Sequence, residues 1–382
     1  MTHHDGEKKK PGKVALLTNF VAPYRVPVFN YLASQLGELR ILVSTPMEQD
    51  RPWRPEWGDL DVRIQRSLSF SSSLRHLDGT LMKAQVHLPY DTFFQLLRFR
   101  PNCTISGEMG LRTLMAWLYR QIFRRSRLVI WATLSDRTET AAGPIRTYLR
   151  KLLLSGADAV MTNGSAGKRY LLSLGYPEKH IYKIGQAIDL DLFRAPPTRP
   201  EDRAHDILFV GKLEPYKGLV PFLANLGEWA NEHPETHFRF GILGSGSEKL
   251  AVEAALAALP PSIEAKILDP LPYDAMAGLY AQYGVLVLPS LFEEWGLVVN
   301  EAMASGAIVL GSKNAQAVEE LVEDGVTGFT FDPYLKNSSH VALSRLSDAT
   351  PKELDQIRRS AQARITVVTP REMAVGMLNS IS

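Results

Sequence analysis

The chain has 382 residues, 45% of them apolar and 22% charged, with a single cysteine, Cys103. That length suits two domains of ordinary size, with enough apolar residues to bury their cores without cross-links. One cysteine excludes an intramolecular disulfide and argues against a thiolate metal site. No segment approaches the ~18–20 continuous apolar residues of a membrane span. The net charge of +2 conceals an asymmetry: residues 1–185 carry 27 Lys and Arg against 15 Asp and Glu, a net of +12, and residues 186–382 carry 16 against 26, a net of −10. A basic half joined to an acidic half points to an anionic partner for the first half.

Residues 1–12 are polar and basic and read as a disordered tail, with no apolar run long enough for a secretory leader. Lys13 to Phe20 (KVALLTNF) reads as a buried strand, Val28 to Leu36 as a helix and Leu39 to Thr45 as a second strand. NCTISG, LVIWAT and AVMTNG are later strand-like runs with helical stretches between them. Strands alternating with helices predict parallel sheets built from βαβ units. RAPPTRPEDRA, residues 194–204, is rich in proline and charge and reads as a linker. A second strand series follows: Asp206 to Lys212, His237 to Gly246, Glu264 to Pro270, Gly284 to Ser290 and Ala307 to Ser312. Ligands of doubly wound sheets bind beyond the carboxyl ends of the strands, so the residues just after these runs are the candidates.

Two constellations stand at such strand ends. In FVGKLEPYKG (Phe209 to Gly218), Gly211 opens a turn and Lys212 and Lys217 flank a loop leading into a helix near Leu219. Two cations beside a glycine turn suit a diphosphate, whose charge they offset; the other reading is a pair of solvated loop lysines. In PSLFEEWGLVVNEAMASG (Pro289 to Gly306), Glu293 precedes a helix predicted over Leu297 to Ala304, and Glu301 lies within it. The loop at Gly296 and the helix start offer free N–H groups to an anion, and two carboxylates suit the hydroxyls of two sugars. The alternative is one solvated and one capping acid. GILGSG, in the second strand series, has the wrong spacing for a dinucleotide fingerprint, so no nicotinamide cofactor is expected.

Taken together, FVGKLEPYKG and PSLFEEWGLVVNEAMASG, with GILGSGSE and LPYDAMAGLYAQYGVLVLPS between them, resemble family 4 of the retaining GT-B glycosyltransferases. The resemblance is strong from Asp206 to Phe331 and weak elsewhere. It implies an α/β, GT-B fold: two Rossmann-like doubly wound domains facing each other across a cleft. The N-terminal domain, 13–193, would bind acceptor, and the C-terminal domain, 205–369, the nucleotide sugar. Residues 370–382 would form a helix crossing back to the first domain; Pro370 suits its start. The resemblance also implies roles. Gly211, Lys212 and Lys217 would take the diphosphate, with Lys212 replacing the family's usual arginine. Glu293 would meet the donor-sugar hydroxyls and Glu301 the ribose. Gly296, Leu297 and Val298 would offer amides to the sugar and distal phosphate, and Leu271 would lie by the base. Glu294 and Trp295 replace a small residue and a phenylalanine.

The first half matches less well. The family's glycine-rich loop after the first strand is replaced by TNFVAPYRVPVF, in which Arg25 is a candidate for an anionic acceptor or the donor phosphate. LVIWATLSDRTET lacks the family's usual histidine; Asp136 is taken as its catalytic replacement beside Glu293 and Lys217, with Glu139 and Glu108 as further candidates. For each acid the alternative is a cap or a surface charge. Arg112 to Arg127 predicts an amphipathic helix with Arg120, Arg124, Arg125 and Arg127 near its end. It is either a helix packed on its sheet with a basic outer face or a contact for an anionic membrane. The expected molecule is a cytoplasmic, possibly peripheral transferase using a UDP- or GDP-sugar donor, without metal, on an anionic or lipid-linked acceptor, and not on nucleic acid. A sugar-nucleotide epimerase and an inactive partner subunit of the same fold are the competing readings.

Overall fold

The computed structural model describes residues 12–48, 54–75, 81–139, 143–194 and 205–382. The expected tail (all but its last residue) and linker (all but its first) lie outside the described residues. The first unit runs β1 (Lys13–Thr18), α1 (Val26–Gln35), β2 (Glu38–Val43), β3 (Asp61–Ile64), β4 (Ser67–Arg75), β5 (Leu81–Pro89), α2 (Thr92–Phe99), β6 (Cys103–Gly107) and α3 (Leu111–Ile122). It continues with β7 (Arg127–Ala132), α4 (Pro144–Ser155), β8 (Ala159–Thr162), α5 (Ser165–Ser173), β9 (Ile181–Lys183) and α6 (Leu190–Phe193). Seven strands form a parallel sheet in the order β3-β2-β1-β6-β7-β8-β9, and β4 and β5 pair antiparallel as a separate hairpin. β6 and β8 are buried along their whole length, as a sheet covered on both faces requires.

The second unit runs β10 (Asp206–Val210), α7 (Leu219–Glu232), β11 (Phe238–Leu243), α8 (Lys249–Ala257), β12 (Ile263–Ile267), α9 (Met276–Gln282) and β13 (Val285–Leu288). After it come α10 (Leu297–Ala304), β14 (Ile308–Ser312), α11 (Gln316–Leu321), β15 (Gly328–Phe331), α12 (Lys336–Asp348), α13 (Pro351–Ile365) and α14 (Pro370–Ile381). Its six parallel strands are ordered β12-β11-β10-β13-β14-β15. Numbered within the domain this is 3-2-1-4-5-6, the Rossmann order, whose chain direction reverses between β10 and β13. The N-terminal sheet reverses likewise between β1 and β6. The strand ends that open a crevice are therefore those of β10 and β13 in one domain and of β1 and β6 in the other.

The last helix belongs to the first domain's core. Met373, Ala374, Met377 and Ile381 of α14 join the cluster built on Val14, Leu16, Ile41 and Trp131, and Thr369 caps the helix by accepting from the Glu372 amide. Arg127 seals this return. The sequence pattern carries the α3 helix through Arg127, but the helix stops at Ile122 and Arg127 opens β7, where its guanidinium donates to the carbonyls of Ile381 and Ser382. The helix ends early because Ser126 must turn into the sheet: its hydroxyl donates to the Pro101 carbonyl and its amide to that of Phe123.

Candidate active site

The two crevices face each other and enclose one cavity of about 570 Å³, within the size range of small-molecule sites. The C-terminal wall carries Gly211, Lys212, Lys217, Leu271, Glu293, Glu294, Gly296, Leu297, Val298 and Glu301, and the N-terminal wall Asn19, Arg25, Glu48, Glu108, Arg112, Trp131 and Thr133. Every C-domain residue singled out by sequence lies on this wall.

The lysine loop owes its shape to close backbone approaches. Gly218 sits at φ +65°, and a Cβ there would lie 2.3 Å from the Pro289 carbonyl oxygen. Only glycine lets the β10 loop lie against the β13 loop, where Leu291 N–H donates to the Tyr216 carbonyl. The GILGSG glycines serve the same end: Gly244 leaves room for the Gly211 carbonyl and Gly246 for Leu213. The Gly211 N–H is already committed to Leu243 O at 3.0 Å. Gly211 therefore contributes space and a turn rather than its own N–H to a phosphate. Lys217 Nζ forms an ion pair with Glu293, bringing the expected phosphate cation and sugar acid into contact.

Gly296, at φ +97°, caps α10, and the Leu297 and Val298 amides that follow have no partner within the helix. Glu301, one turn on, is buried and accepts a 2.7 Å hydrogen bond from Tyr280 Oη. Burial pushes its carboxyl up to about 7. The Glu294–Trp295 step between the two acids is held rigidly. Trp295 Nε1 donates to Asn300 Oδ1, and the Asn300 amide donates to the Gln186 carbonyl. Asn163 and Gln316 both donate to the Glu294 carbonyl. Asn163 comes from the N-terminal domain, so both domains fix this loop.

The N-terminal wall departs from expectation. Asp136 does not line the cavity: Arg169 Nε donates to it at 2.6 Å, and the same guanidinium reaches Glu319 of the second domain. It serves the seam between the domains, not the reacting centre. Glu139 is likewise absent from the cavity wall and is buried against Arg150 in a further ion pair. The acid that faces the cleft is Glu108, at φ +63°, a left-handed conformation rare for a residue with a side chain. Its amide donates to Trp131 O at 2.9 Å and its carbonyl accepts from the Thr113 hydroxyl.

Glu108 meets Glu294 across the cleft through one hydroxyl. Thr133 Oγ1 lies 2.6 Å from Glu108 Oε1 and 3.1 Å from Glu294 Oε2. A hydroxyl has one proton to donate, so satisfying both contacts requires one carboxyl to be protonated and to donate to Thr133 in return. Burial, and then the Glu108 charge, push the Glu294 carboxyl up to about 8, and burial also raises Glu108. Burial thus favours the protonated form of both carboxyls, as the single hydroxyl between them requires.

Arg112, Trp131, Thr133 and Tyr280 were not singled out from sequence. Arg112 reads as part of a basic helix face, yet it is 5% exposed. The strand-end rule finds it, since it lies one turn beyond β6.

The glycosyl transferases group 1 family model matches residues 193–364. The D-inositol 3-phosphate glycosyltransferase of Corynebacterium aurimucosum is 26% identical over 357 residues, covering 84% of this chain and 82% of that protein. The Corynebacterium glutamicum protein of the same name is 23% identical, over 64% of this chain and 62% of its own length. Anabaena HepE in complex with UDP superposes over 96% of this chain and all of its own, with a TM-score of 0.70 at 17% identity. The lipopolysaccharide outer core galactosyltransferase WaaB superposes over 97% of this chain and 99% of its own, with a TM-score of 0.68 at 16% identity. The chain has the GT-B fold, and its second domain matches the group 1 glycosyl transferases. The GT-B cleft is thus the cavity described above. Among the described residues no helix is long and apolar enough to cross a membrane.

Proposed function

We propose that the chain is a retaining transferase. It moves a sugar from a UDP- or GDP-linked donor to an anionic or lipid-linked acceptor in the synthesis of a cell-surface polysaccharide, lipopolysaccharide or glycolipid. One observation carries this reading: two lysines, the α10 amides and a buried carboxylate converge on the crevice between β10 and β13. Lys212, Lys217 and the Leu297 and Val298 amides would stabilise the departing diphosphate, which is the main electrostatic task of such a transfer. Lysine charge and helix amides supply that stabilisation without a divalent metal. Lys217 would exchange Glu293 for phosphate when donor enters, freeing the carboxylate for sugar hydroxyls. Glu301 would accept from the ribose. In a front-face transfer the leaving phosphate oxygen takes the acceptor proton, so no separate base is needed. Similar structures hold UDP and UDP-glucose, and the two corynebacterial relatives are named for a phosphorylated acceptor, which supports the donor class and an anionic acceptor.

Calorimetric titration with UDP, GDP and their nucleosides tests the donor site. Lys217→Ala should weaken diphosphate binding by roughly 1.5–3 kcal/mol while sparing the nucleoside. Glu301→Gln, which keeps an acceptor for Tyr280, should weaken both. Equal losses for nucleoside and diphosphate in Lys217→Ala would refute the assignment. Donor turnover to a new sugar nucleotide without acceptor would identify an epimerase instead.

A further inference from the structure

The lysines and α10 amides account for the C-domain wall, but they leave unexplained a set of N–H groups on the opposite one. Arg112 is 5% exposed and Trp131 is 2% exposed, and both line the cavity. Arg112 Nη1, Trp131 Nε1 and the inner Nε of Arg25 are buried donors with no protein acceptor. All three residues line the same wall. The Arg25 guanidinium lies 4.5 Å over the Trp131 ring, and Arg112 is anchored through its other nitrogen to Asn19, at the end of β1. Arg112 also stands in the first turn of α3, a twelve-residue helix whose N-terminus opens on the cleft. Burying donors without acceptors is costly, the more so for charged groups. An arrangement of this kind is stable when a ligand supplies the acceptors.

The acids nearby offset part of this charge but leave these nitrogens without an acceptor. Glu108 stands close enough to act on both Arg112 and Arg25, but its hydrogen bond is with Thr133. Glu48, also on the cavity wall, adds a second negative charge near Arg112 without accepting from its Nη1. Burial lowers Arg112 only to about 10, so its guanidinium keeps its charge at neutral pH.

We infer that this wall is an anion subsite, in which Arg112, Arg25 and the Trp131 N–H hold a phosphate or carboxylate carried by the acceptor. The inference rests on the transferase reading, in which the opposite wall is filled by the donor. Planar guanidinium groups match the oxygen spacing of either anion. The α3 N-terminus adds partial positive charge on the same side. The class of acceptor is therefore a sugar, polyol or lipid whose reacting hydroxyl lies near an anionic group, and not a neutral glycan end.

The test uses the full chain saturated with UDP, so that the donor wall is occupied. Glucose 6-phosphate, glucose, and vesicles containing phosphatidic acid are titrated separately, with binding read by calorimetry or sedimentation. Glucose 6-phosphate should bind at least tenfold more tightly than glucose, and Arg112→Gln should abolish the difference. A response to the vesicles alone, lost in the same variant, would support the subsite and assign the anion to a lipid headgroup. Arg25→Gln, at a less buried position, should weaken the response severalfold and serves if Arg112→Gln fails to fold. Equal binding of glucose and glucose 6-phosphate with no vesicle response would overturn the subsite while leaving UDP binding intact. A loss of UDP affinity in Arg112→Gln would place the arginine in the donor site and overturn it as well. A chain that binds no UDP would overturn the donor reading and this inference together.

Discussion

The pairing of Glu108 with Glu294 shows how a single residue choice sets the chemistry of a cleft. The sequence pattern places Glu294 where the family usually has a small residue, and the consequence is a second carboxyl facing one from the other domain. Burial holds Glu294 near 8, well above the ordinary 4.5. The folded state therefore keeps a proton that the unfolded chain releases at lower pH, so the associated stability is present below about 4.5 and is lost as pH rises through about 8. Melting temperature should fall between about pH 5 and 8, and Glu294→Gln, which cannot ionise, should flatten that fall. An unchanged slope in the variant would mean that Glu294 is not the group that keeps the proton. None of this is legible from residue types, because the shift depends on Thr133 standing between acids that are 186 positions apart. Glu301 is different: its position on a short helix after a strand end was readable from spacing, and only its burial and its Tyr280 partner required the fold.

Elements were legible where the local pattern and the tertiary demand agree. The five C-domain strands read from sequence are all present, because buried parallel strands leave continuous apolar runs. β15 escaped notice because Gly328 to Phe331 is four residues with a polar one inside. The β4–β5 hairpin escaped because Leu68 and Phe70 are exposed, 63% and 50%, among serines, so no buried face marks it. Asp136 shows the complementary failure. A strand-end acid is a fair catalytic candidate until a partner such as Arg169, which no spacing rule predicts, claims it. Glycine positions carry the reverse lesson, since their necessity lies in contacts. At Gly218 both the left-handed backbone and the Pro289 carbonyl exclude a methyl group. Gly218→Ala should destabilise the chain by roughly 1–3 kcal/mol and shift the Lys217 loop away from the α10 loop. Denaturant unfolding with UDP binding on the same samples checks this; wild-type stability would show that the two loops are not locked together.

At the scale of the whole molecule, the charge asymmetry acquires a surface. α2, α3 and α4 lie side by side on one face of the N-terminal sheet. That face exposes Phe94, Ile122, Phe123, Ile145, Tyr148 and Leu149, with Arg124, Arg125, Arg146 and Lys151 exposed among them. Large apolar side chains ringed by cations suit an anionic bilayer surface, where each Lys or Arg gains on the order of 1 kcal/mol. Arg127 drops out of this set, because it is committed to the C-terminal carbonyls. Arg120 is tied to Asp158 at 3.1 Å. The variant that isolates the surface is therefore Arg124→Gln with Arg125→Gln, leaving both in place. The protein should sediment with anionic vesicles at low salt, bind neutral vesicles far less, and be released as salt screens the attraction. The double variant should weaken vesicle binding severalfold. UDP affinity should hold, because neither arginine lines the cavity. An apolar contribution makes a second demand: Ile145→Ser with Tyr148→Ser should reduce the binding that persists at high salt. Indifference to vesicle charge would remove the membrane from the reading and point to a soluble anionic acceptor, with the GT-B assignment untouched.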